Sequence, residues 1–484
     1  MGLSSALSNA FSGLSVNSRL AEVASENVAN ALTEGFARRD AQLSPRMAGS
    51  VGIGVRIVSI ERQVNEGIVQ DLRTSTAGLA SNSVLRDFYA GLEAAFGVPT
   101  NSSSVSARLA RFESALIAAA VRPESEARLA TVVTSARDLA TGLNTAGKTL
   151  RDMRQAADRG IAADITALKH SLTSVDDLND RIVQARARGQ DTSALLDQRQ
   201  SQIDRISELV SVRQVEQPNG SLSLFTAAGS TLLDGRVATI EFAPTAAISP
   251  SMSIGSGQLS GLSIDGQPVT TAPAGGIFGT GRIAAQFALR DDLAVTAQAQ
   301  LDALAIDLFE RFSDPAVDPT LAPGQAGLFD DAMGPFVPAT SVGLAGRLII
   351  NGAVDPDQGG AVWRLRDGIN AGGPSSNADP ARLQAYSDAL AKSRALSAPG
   401  LTAAGGVNQL IGEAGNGFST ARLRTDQEKA FAAARVEGLK SSLLADGVDT
   451  DREMQDLMQI DKAFAANAKV IQAVDEMLQL LLEI

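Results

Sequence analysis

The chain has no cysteine, a single histidine (His170), a single tryptophan (Trp363) and only two tyrosines (Tyr89 and Tyr386) in 484 residues. Without cysteine there is no disulfide, no thiolate nucleophile and no cysteine-ligated zinc, and one histidine makes a histidine-based triad hard to assemble. No apolar run approaches the ~18 residues that a membrane-spanning helix needs. The N-terminus lacks the basic stretch and apolar core of a cleaved secretory signal, so export is expected to proceed without one. Basic residues are outnumbered 42 to 54, a net charge of −12. That balance disfavours a phosphate backbone or an anionic membrane surface as partner, and we expect neither nucleic-acid binding nor membrane insertion. The length sets a soft prior of ~3 domains.

What the sequence does contain is a long apolar periodicity at each end. From Gly447 to Ile484, Leu457, Ile460, Phe464, Ile471, Val474, Leu478 and Leu481 recur at alternating steps of three and four, with Asn467 the one interruption. This is a heptad seam. Thr450 and Glu453 stand at capping-box spacing at its start. Met454, Met458, Val470, Met477 and Leu480 form a second apolar set off the seam, more than one partner helix can cover. The segment Met1 to Ala31 carries a matching seam of Leu3, Leu7, Ala10, Leu14, Asn17, Ala21, Ala24, Val28 and Ala31. Both seams extend for roughly 45 to 50 Å as helix. Ser4, Ser5, Ser8, Ser12, Ser15 and Ser18, with Gly2 and Gly13, give the first segment poor intrinsic helix propensity, so it is expected to need partners in order to fold.

Between the ends, Gly52 to Ile60 reads as a short strand and Asp71 to Phe96 as helix. A very long helical region follows. Leu129, Val132, Ala136, Leu139, Leu143, Ala146, Leu150, Met153 and Ala157 form one seam, and Ile161, Ile165, Leu168, Leu172, Val175 and Ile182 continue it after a one-residue slip in phase. Gly160 offers a place to bend. Gly189-Gln190-Asp191 turns the chain into a returning helix through Leu195, Leu196, Ile203, Ile206 and Leu209, an α-helical hairpin. Short apolar segments between Pro218 and Phe242, punctuated by Gly and Asp-Gly turns, read as a small β unit. Leu348-Ile349-Ile350 reads as a strand that rejoins it.

Two motifs in this frame carry a family resemblance. Asn27-Val28-Ala29-Asn30-Ala31-Leu32-Thr33-Glu34-Gly35-Phe36, followed by Arg38 and Arg39, resembles the N-terminal signature of the bacterial flagellar rod, hook and hook-associated (axial) proteins. That signature usually reads Asn-Ile-Ala-Asn-x-Asn-Thr-Pro-Gly-Tyr, so Leu32, Glu34 and Phe36 depart from it. Physically, Gly35 can take the positive φ that ends a helix, and Asn27 and Asn30 can bond nearby backbone groups. Leu195-Leu196-Asp197-Gln198-Arg199 with Leu209-Val210 resembles a stretch found in the hook-filament junction members of that family, and Lys462 to Ile471 resembles the family's C-terminus. The resemblance implies a secreted structural subunit of the flagellum, exported by the type III apparatus. It also implies a homo-oligomeric tubular layer, hook protein and a second junction protein as neighbours, and an export chaperone.

The expected fold is mainly α with a smaller β domain: paired terminal helices like a coiled coil, a long α-helical hairpin core and an inserted β domain. The expected divisions are an axial helix and linker (1–65), the first part of the helical domain (66–210), the first part of the β domain (211–282), a helical return (283–313), a second β part with loops (314–370), the rest of the helical domain (371–446) and the C-terminal axial helix (447–484). No cofactor is expected. Asp449-x-Asp451-x-Glu453 lacks the central glycine and distal glutamate of a calcium loop. Asp176-Asp177 and Asp330-Asp331 could be proposed as paired carboxylates for glycan hydrolysis, and charged helix faces and loops explain them better. His170 reads as a solvated helix residue, and Trp363 as strand packing. The residues expected to carry assembly are Leu3, Leu7, Leu14, Val28, Leu457, Ile460, Phe464, Ile471, Val474, Leu478 and Leu481. Those expected to carry the family motifs are Asn27, Asn30, Gly35, Phe36, Leu196, Asp197, Gln198 and Arg199. Another flagellar axial protein, whether hook protein or second junction protein, and an exported peptidoglycan hydrolase on an axial scaffold remain as alternatives.

Overall fold

A computed structural model describes residues 2–33, 35–48, 51–272, 276–338 and 341–482. Met1, Glu34, Glu483 and Ile484 therefore lie outside the described residues, as does the side chain of Leu481. The chain is mainly α, with small antiparallel sheets and long helices at both ends. Among the described residues no helix is long and apolar enough to cross a membrane.

The N-terminal helix α1 (Leu3–Asn30) leads into a long antiparallel ribbon of β1 (Arg38–Ala48) and β2 (Val51–Gln63). The sequence reading had found only part of the second strand. Strand β1 escapes it because Arg39, Asp40, Pro45 and Arg46 break any apolar alternation, as a two-stranded ribbon with little to bury permits. The irregular spacing in β2 has a structural cause. Gln42 pairs with Ser59 and Leu43 with Ile57, which leaves Val58 as the extra residue of a bulge, 60% exposed.

Helix α2 (Glu66–Phe96) starts at the cap Asn65, whose side chain accepts from the Ile68 N–H at 3.3 Å. It runs beside α10 (Val407–Ala445) as a two-helix stalk, tied by Arg86–Asp426 at 2.9 Å and by Phe96 edge-on to Phe418. After α3 (Val105–Val121), helix α4 (Glu126–Ala187) runs unbroken for 62 residues, about 93 Å at ~1.5 Å per residue. The helix continues through Gly160 without interruption. A Cβ there would lie 2.7 Å from Gln286 Nε2, so the glycine serves a close approach by a neighbouring helix.

The slip in the apolar phase of α4 marks where the helix passes from one core to another. Leu129 to Ala157 face a core shared with Phe96, Phe112, Leu301, Phe312, Phe329 and Tyr386. Ile161 to Val175 face a second core, shared with α5 (Ser193–Leu209) and with two three-stranded sheets, β3-β4-β5 (Val212–Glu216, Leu222–Thr226, Thr231–Leu233) and β6-β7-β8 (Ile240–Glu241, Leu262–Ile264, Gln267–Val269). At the passage, Asp158 and Arg290 form an ion pair of 2.6 Å with both side chains fully buried. Asp158 also accepts from the Thr245 N–H, and Arg290 also donates to Asp291 and to the Ser260 carbonyl. The charges are therefore paired and hydrogen-bonded, the condition under which burial is tolerable.

Helix α6 (Arg282–Ala288) packs in the second core through Ile283 and Phe287, and α7 (Ala294–Phe312) returns the chain to the first. Strands β9 (Phe329–Asp331) and β10 (Leu348–Ile350) pair with each other and pack in that core against α4. Leu348 to Ile350 thus lie apart from β3–β8 instead of rejoining them. Trp363 sits not in a strand but ahead of the short helix α8 (Arg364–Asp367), with the Arg364 guanidinium over its ring. Helix α9 (Ala381–Ala391) and the minimal pair β11 (Arg394–Ala395) and β12 (Ala404–Gly405) precede α10, and α11 (Thr450–Leu482) ends the chain.

Candidate assembly interface

Helices α1 and α11 pack against each other in antiparallel fashion. Two contacts fix the register. Gly13 lies opposite Asn467, where a Cβ would stand 2.6 Å from the Asn467 Nδ2, and Asn27 lies opposite Glu453, its Nδ2 donating at 3.1 Å. Asn467, the one polar interruption of the C-terminal seam, is thus matched by the residue that leaves room for it. Val474 and Ala10 are buried. Leu3, Leu7, Leu14, Val28, Leu457, Ile460 and Ile471 are half-buried. Phe464 and Leu478 stay 40% exposed. Met454, Met458, Val470, Met477 and Leu480, the second apolar set, are all exposed.

The ribbon covers another side of α1. Ser12 Oγ accepts from the Val55 N–H at 3.2 Å, and Ser8 Oγ donates to the Ile53 carbonyl at 3.3 Å. Gly54, at φ +127°, makes this approach possible, since a Cβ there would overlap Ser12. Two of the serines that weaken the helix are therefore what docks the ribbon onto it.

The family motif residues converge at the other end of the pair. Gly35 takes φ +82° after the helix, and Phe36 lies under the Arg39 guanidinium, 5.0 Å from ring centre to Cζ. Asn30 Nδ2 donates back to the Glu26 carbonyl. Asn27 is 1% exposed and clamps the backbone of Arg39 from both sides, accepting from its N–H and donating to its carbonyl, each at 2.9 Å. Glu453 is 3% exposed and takes Arg38 Nε at 2.7 Å besides Asn27. The capping box expected at Thr450 and Glu453 therefore does not form. Asp449 caps the helix, accepting from the Asp451 and Arg452 N–H groups. Glu453 is spent instead on joining the two chain ends.

Helix α5 faces the ribbon with Asp197, whose two carboxylate oxygens take Arg39 at 3.2 Å and Arg62 at 2.8 Å. Arg199 points the other way. It donates to Asn179 Oδ1 and to the Gly220 carbonyl, holding α4, α5 and the first sheet together, and burial lowers its pKa to about 10 against the opposing pull of Glu216. Leu196 is half-buried and Gln198 exposed. The pattern Leu-Asp-Gln-Arg is thus a two-sided connector between the axial helices with their ribbon and the body. Sequence reasoning missed Glu26, Arg62, Glu453 and Gln200, the last accepting from Arg62 at 2.8 Å. Their partners are not local for the most part: Glu453, which fits a capping box, meets Arg38 and Asn27 across 415 and 426 positions, and Arg62 meets Asp197 and Gln200 across 135 and 138.

Beside the helix pair runs an apolar groove of about 1070 Å³, lined from α1 by Asn17, Ala21 and Ser25 and from α11 by Leu457, Ile460 and Phe464. The carboxylate pairs weighed for hydrolysis are otherwise placed. Asp177 is exposed on α4, and Asp331 is held by Arg347 at 2.8 Å. His170 is exposed. Among the described residues no group of three or more metal-binding side chains comes together.

Comparison with known proteins agrees with this arrangement. Residues 90–317 match the family described as flagellar hook-associated protein FlgK helical domain, and residues 441–484 match the flagellar basal body rod FlgEFG protein C-terminal family. The first match runs from the end of α2 through the long helical hairpin and both early sheets to α7; the second is α11 with its approach. Both matched descriptions are of flagellar axial proteins. Among individual proteins, the chain is similar to flagellar hook-associated protein 1. It is 24% identical over 246 residues to that protein of Escherichia coli K12 and 25% identical over the same length to that of Salmonella typhimurium LT2, covering 49% of this chain and 44% of each relative. The chain thus aligns with less than half the length of these relatives. A solved structure, the flagellar hook junction protein FlgK from Burkholderia pseudomallei, is similar at a TM-score of 0.43 and 21% identity over 54% of this chain and 46% of that one.

Proposed function

We propose that this chain is a non-enzymatic structural subunit of the bacterial flagellum that forms the junction between hook and filament. It polymerises into a tubular layer through α1 and α11. The observation that carries this reading is the uncovered apolar set on α11, Met454, Met458, Val470, Met477 and Leu480, in a helix that already packs against α1. A lone chain leaves that surface in water, and repeating a head-to-tail contact that covers it generates a helical array. By resemblance to its relatives, its neighbours are hook protein and the second junction protein. It leaves the cell through the flagellar type III route without a cleaved signal, after a chaperone has held its terminal segment.

The test is deletion of residues 450–484 in the cell that makes the protein. The expected outcome is cells with hooks, no filaments, and flagellin released into the medium. Normal filaments on such cells would overturn the proposal. A hydrolytic role predicts a clearing zone in a peptidoglycan gel that vanishes on Asp177→Asn or Asp331→Asn.

A further inference from the structure

Helix α11 keeps its sulfur apart from its other apolar side chains. Its covered apolar residues, the half-buried Leu457, Ile460 and Ile471 and the buried Val474, are aliphatic, and α1 contains no methionine. The three methionines of α11, Met454, Met458 and Met477, are 48%, 56% and 45% exposed. On a helix of ~3.6 residues per turn they fall on the side away from Leu457, Ile460 and Ile471. The pairing of α1 with α11 therefore uses no thioether, and the uncovered face of α11 is rich in them.

The rest of the chain sharpens the contrast. It has eight methionines and no cysteine, so thioethers are the only sulfur that an oxidant meets. Met153 packs against the first core, with the α2 backbone at Gly91 against its methyl group. Met252 is half-buried, and its sulfur accepts from the Ser249 N–H at 3.4 Å. Met47 on the ribbon and Met333 in the turn after β9 are exposed, well away in sequence from α11. Exposure governs which methionines oxidise, and the sulfoxide product is polar and chiral where the thioether was apolar.

We propose that Met454, Met458 and Met477 are an oxidation site that decides whether the outer face of α11 can assemble, with a peroxide as the oxidant. The sulfur lone pair attacks one peroxide oxygen and the O–O bond breaks. That oxygen stays on sulfur as the sulfoxide, and the other leaves as water, so sulfur is oxidised and peroxide reduced by the same electron pair. A dithiol reverses the step through a reductase: the sulfoxide oxygen leaves as water and the thiols become a disulfide. Each sulfoxide places a hydrogen-bond acceptor on a surface that assembly takes out of water. An acceptor buried there without a donor weakens the contact roughly tenfold or more. Oxidation thus disables the outer face while the subunit keeps its fold. The inference rests on the proposed assembly through α11 and adds its chemical control.

In the test, full-length protein is treated with hydrogen peroxide, mapped by peptide mass spectrometry, and sedimented with bare hooks isolated from cells that lack the chain. Met454, Met458 and Met477 should oxidise several-fold faster than Met153 and Met252. The oxidised protein should keep the hydrogen-exchange protection of α1 and α11, yet sediment with hooks roughly tenfold less. Methionine sulfoxide reductases for both epimers, supplied with a dithiol, should restore binding. The α11 variant Met454→Leu, Met458→Leu and Met477→Leu conserves volume and should bind hooks as well after peroxide as before. Met47→Leu with Met333→Leu should stay as sensitive as the wild type.

Untreated protein that fails to sediment with hooks would remove the proposed function. Oxidised protein that binds as well as untreated protein would overturn the oxidation site and leave the proposed function standing. So would an α11 variant that loses binding in peroxide as the wild type does, or a loss of protection in α1 and α11 on oxidation. If the α11 variant does not bind hooks even untreated, the Met47→Leu, Met333→Leu protein decides, since its exposed methionines among the described residues are those of α11. Binding lost in peroxide and regained on reduction upholds the site, and a permanent loss refutes it.

Discussion

Glu453 is the residue on which the pairing of the chain ends turns, and Glu453→Ala measures its worth. Its side chain is 4% exposed, and its carboxylate receives Arg38 Nε at 2.7 Å and Asn27 Nδ2 at 3.1 Å. Removing one partner of a buried ion pair costs about 3–5 kcal/mol, because the remaining charge is left without compensation. Arg38 is 23% exposed, so water recovers part of that loss. Asn27 keeps its bonds to the backbone of Arg39 and loses one acceptor only. The net cost is therefore about 2–3 kcal/mol. At about 1.4 kcal/mol per tenfold, amide protection in α1 and α11 should fall roughly 30- to 150-fold, or to the unprotected limit if that is reached first. Hydrogen exchange by mass spectrometry on the full-length protein resolves this by segment. Peptides from the first core, such as those covering Leu129 to Leu150, should not change. Unaltered protection in both terminal helices, or a loss spread evenly over the chain, would refute the role assigned to Glu453.

Two further outcomes follow from the same geometry. Gly13→Ala should be near neutral, since about 1 kcal/mol of gained helix propensity offsets the small shift demanded of the Asn467 side chain. Gly13→Leu should separate the helices, with Asn467→Ala as partial rescue, both read by the same exchange experiment. For Arg199, burial holds the folded pKa near 10 against an ordinary 12.5, so between those values the unfolded chain carries a proton that the folded one has released. Stability relative to Arg199→Met should then be level below pH 10 and rise with pH above it. Urea unfolding of both proteins from pH 8 to 11 checks this, and a difference that stays flat or falls would mean that the buried guanidinium keeps its charge on its bonds to Asn179 and Gly220.

How much of this was legible in the sequence depends on the range of the interactions. The seams of α1 and α11 and the helical hairpin could be read because helical periodicity is a local property, repeated many times. The phase slip after Ala157 was also visible, and it corresponds to the passage of α4 between two cores. The close approach of Gln286 that Gly160 admits is a tertiary requirement with no local sign. The serines of α1 read as weak helix formers, while their bonds to Ile53 and Val55 depend on a ribbon whose first strand has no apolar signature. Glu453 matched a local capping pattern and was assigned to it, while its actual partners, Arg38 and Asn27, lie at the opposite end of the chain. In the α5 motif, that Asp197 and Arg199 serve opposite faces depends on partners 135 to 158 residues from Asp197 and on Gly220, none of which is marked locally.

Helix α4 has a mechanical consequence. One uninterrupted backbone of 62 residues forms a wall of both cores, and where it crosses between them it is pinned by the fully buried Asp158–Arg290 pair. A twist applied at the sheet-bearing tip has no flexible joint along this rod in which to dissipate. It reaches the first core through one continuous backbone, and it reaches the ribbon beside α1 through the ion pairs of Asp197 with Arg39 and Arg62. Torque on the sheets is therefore shared between two routes, the rod and this charged clasp.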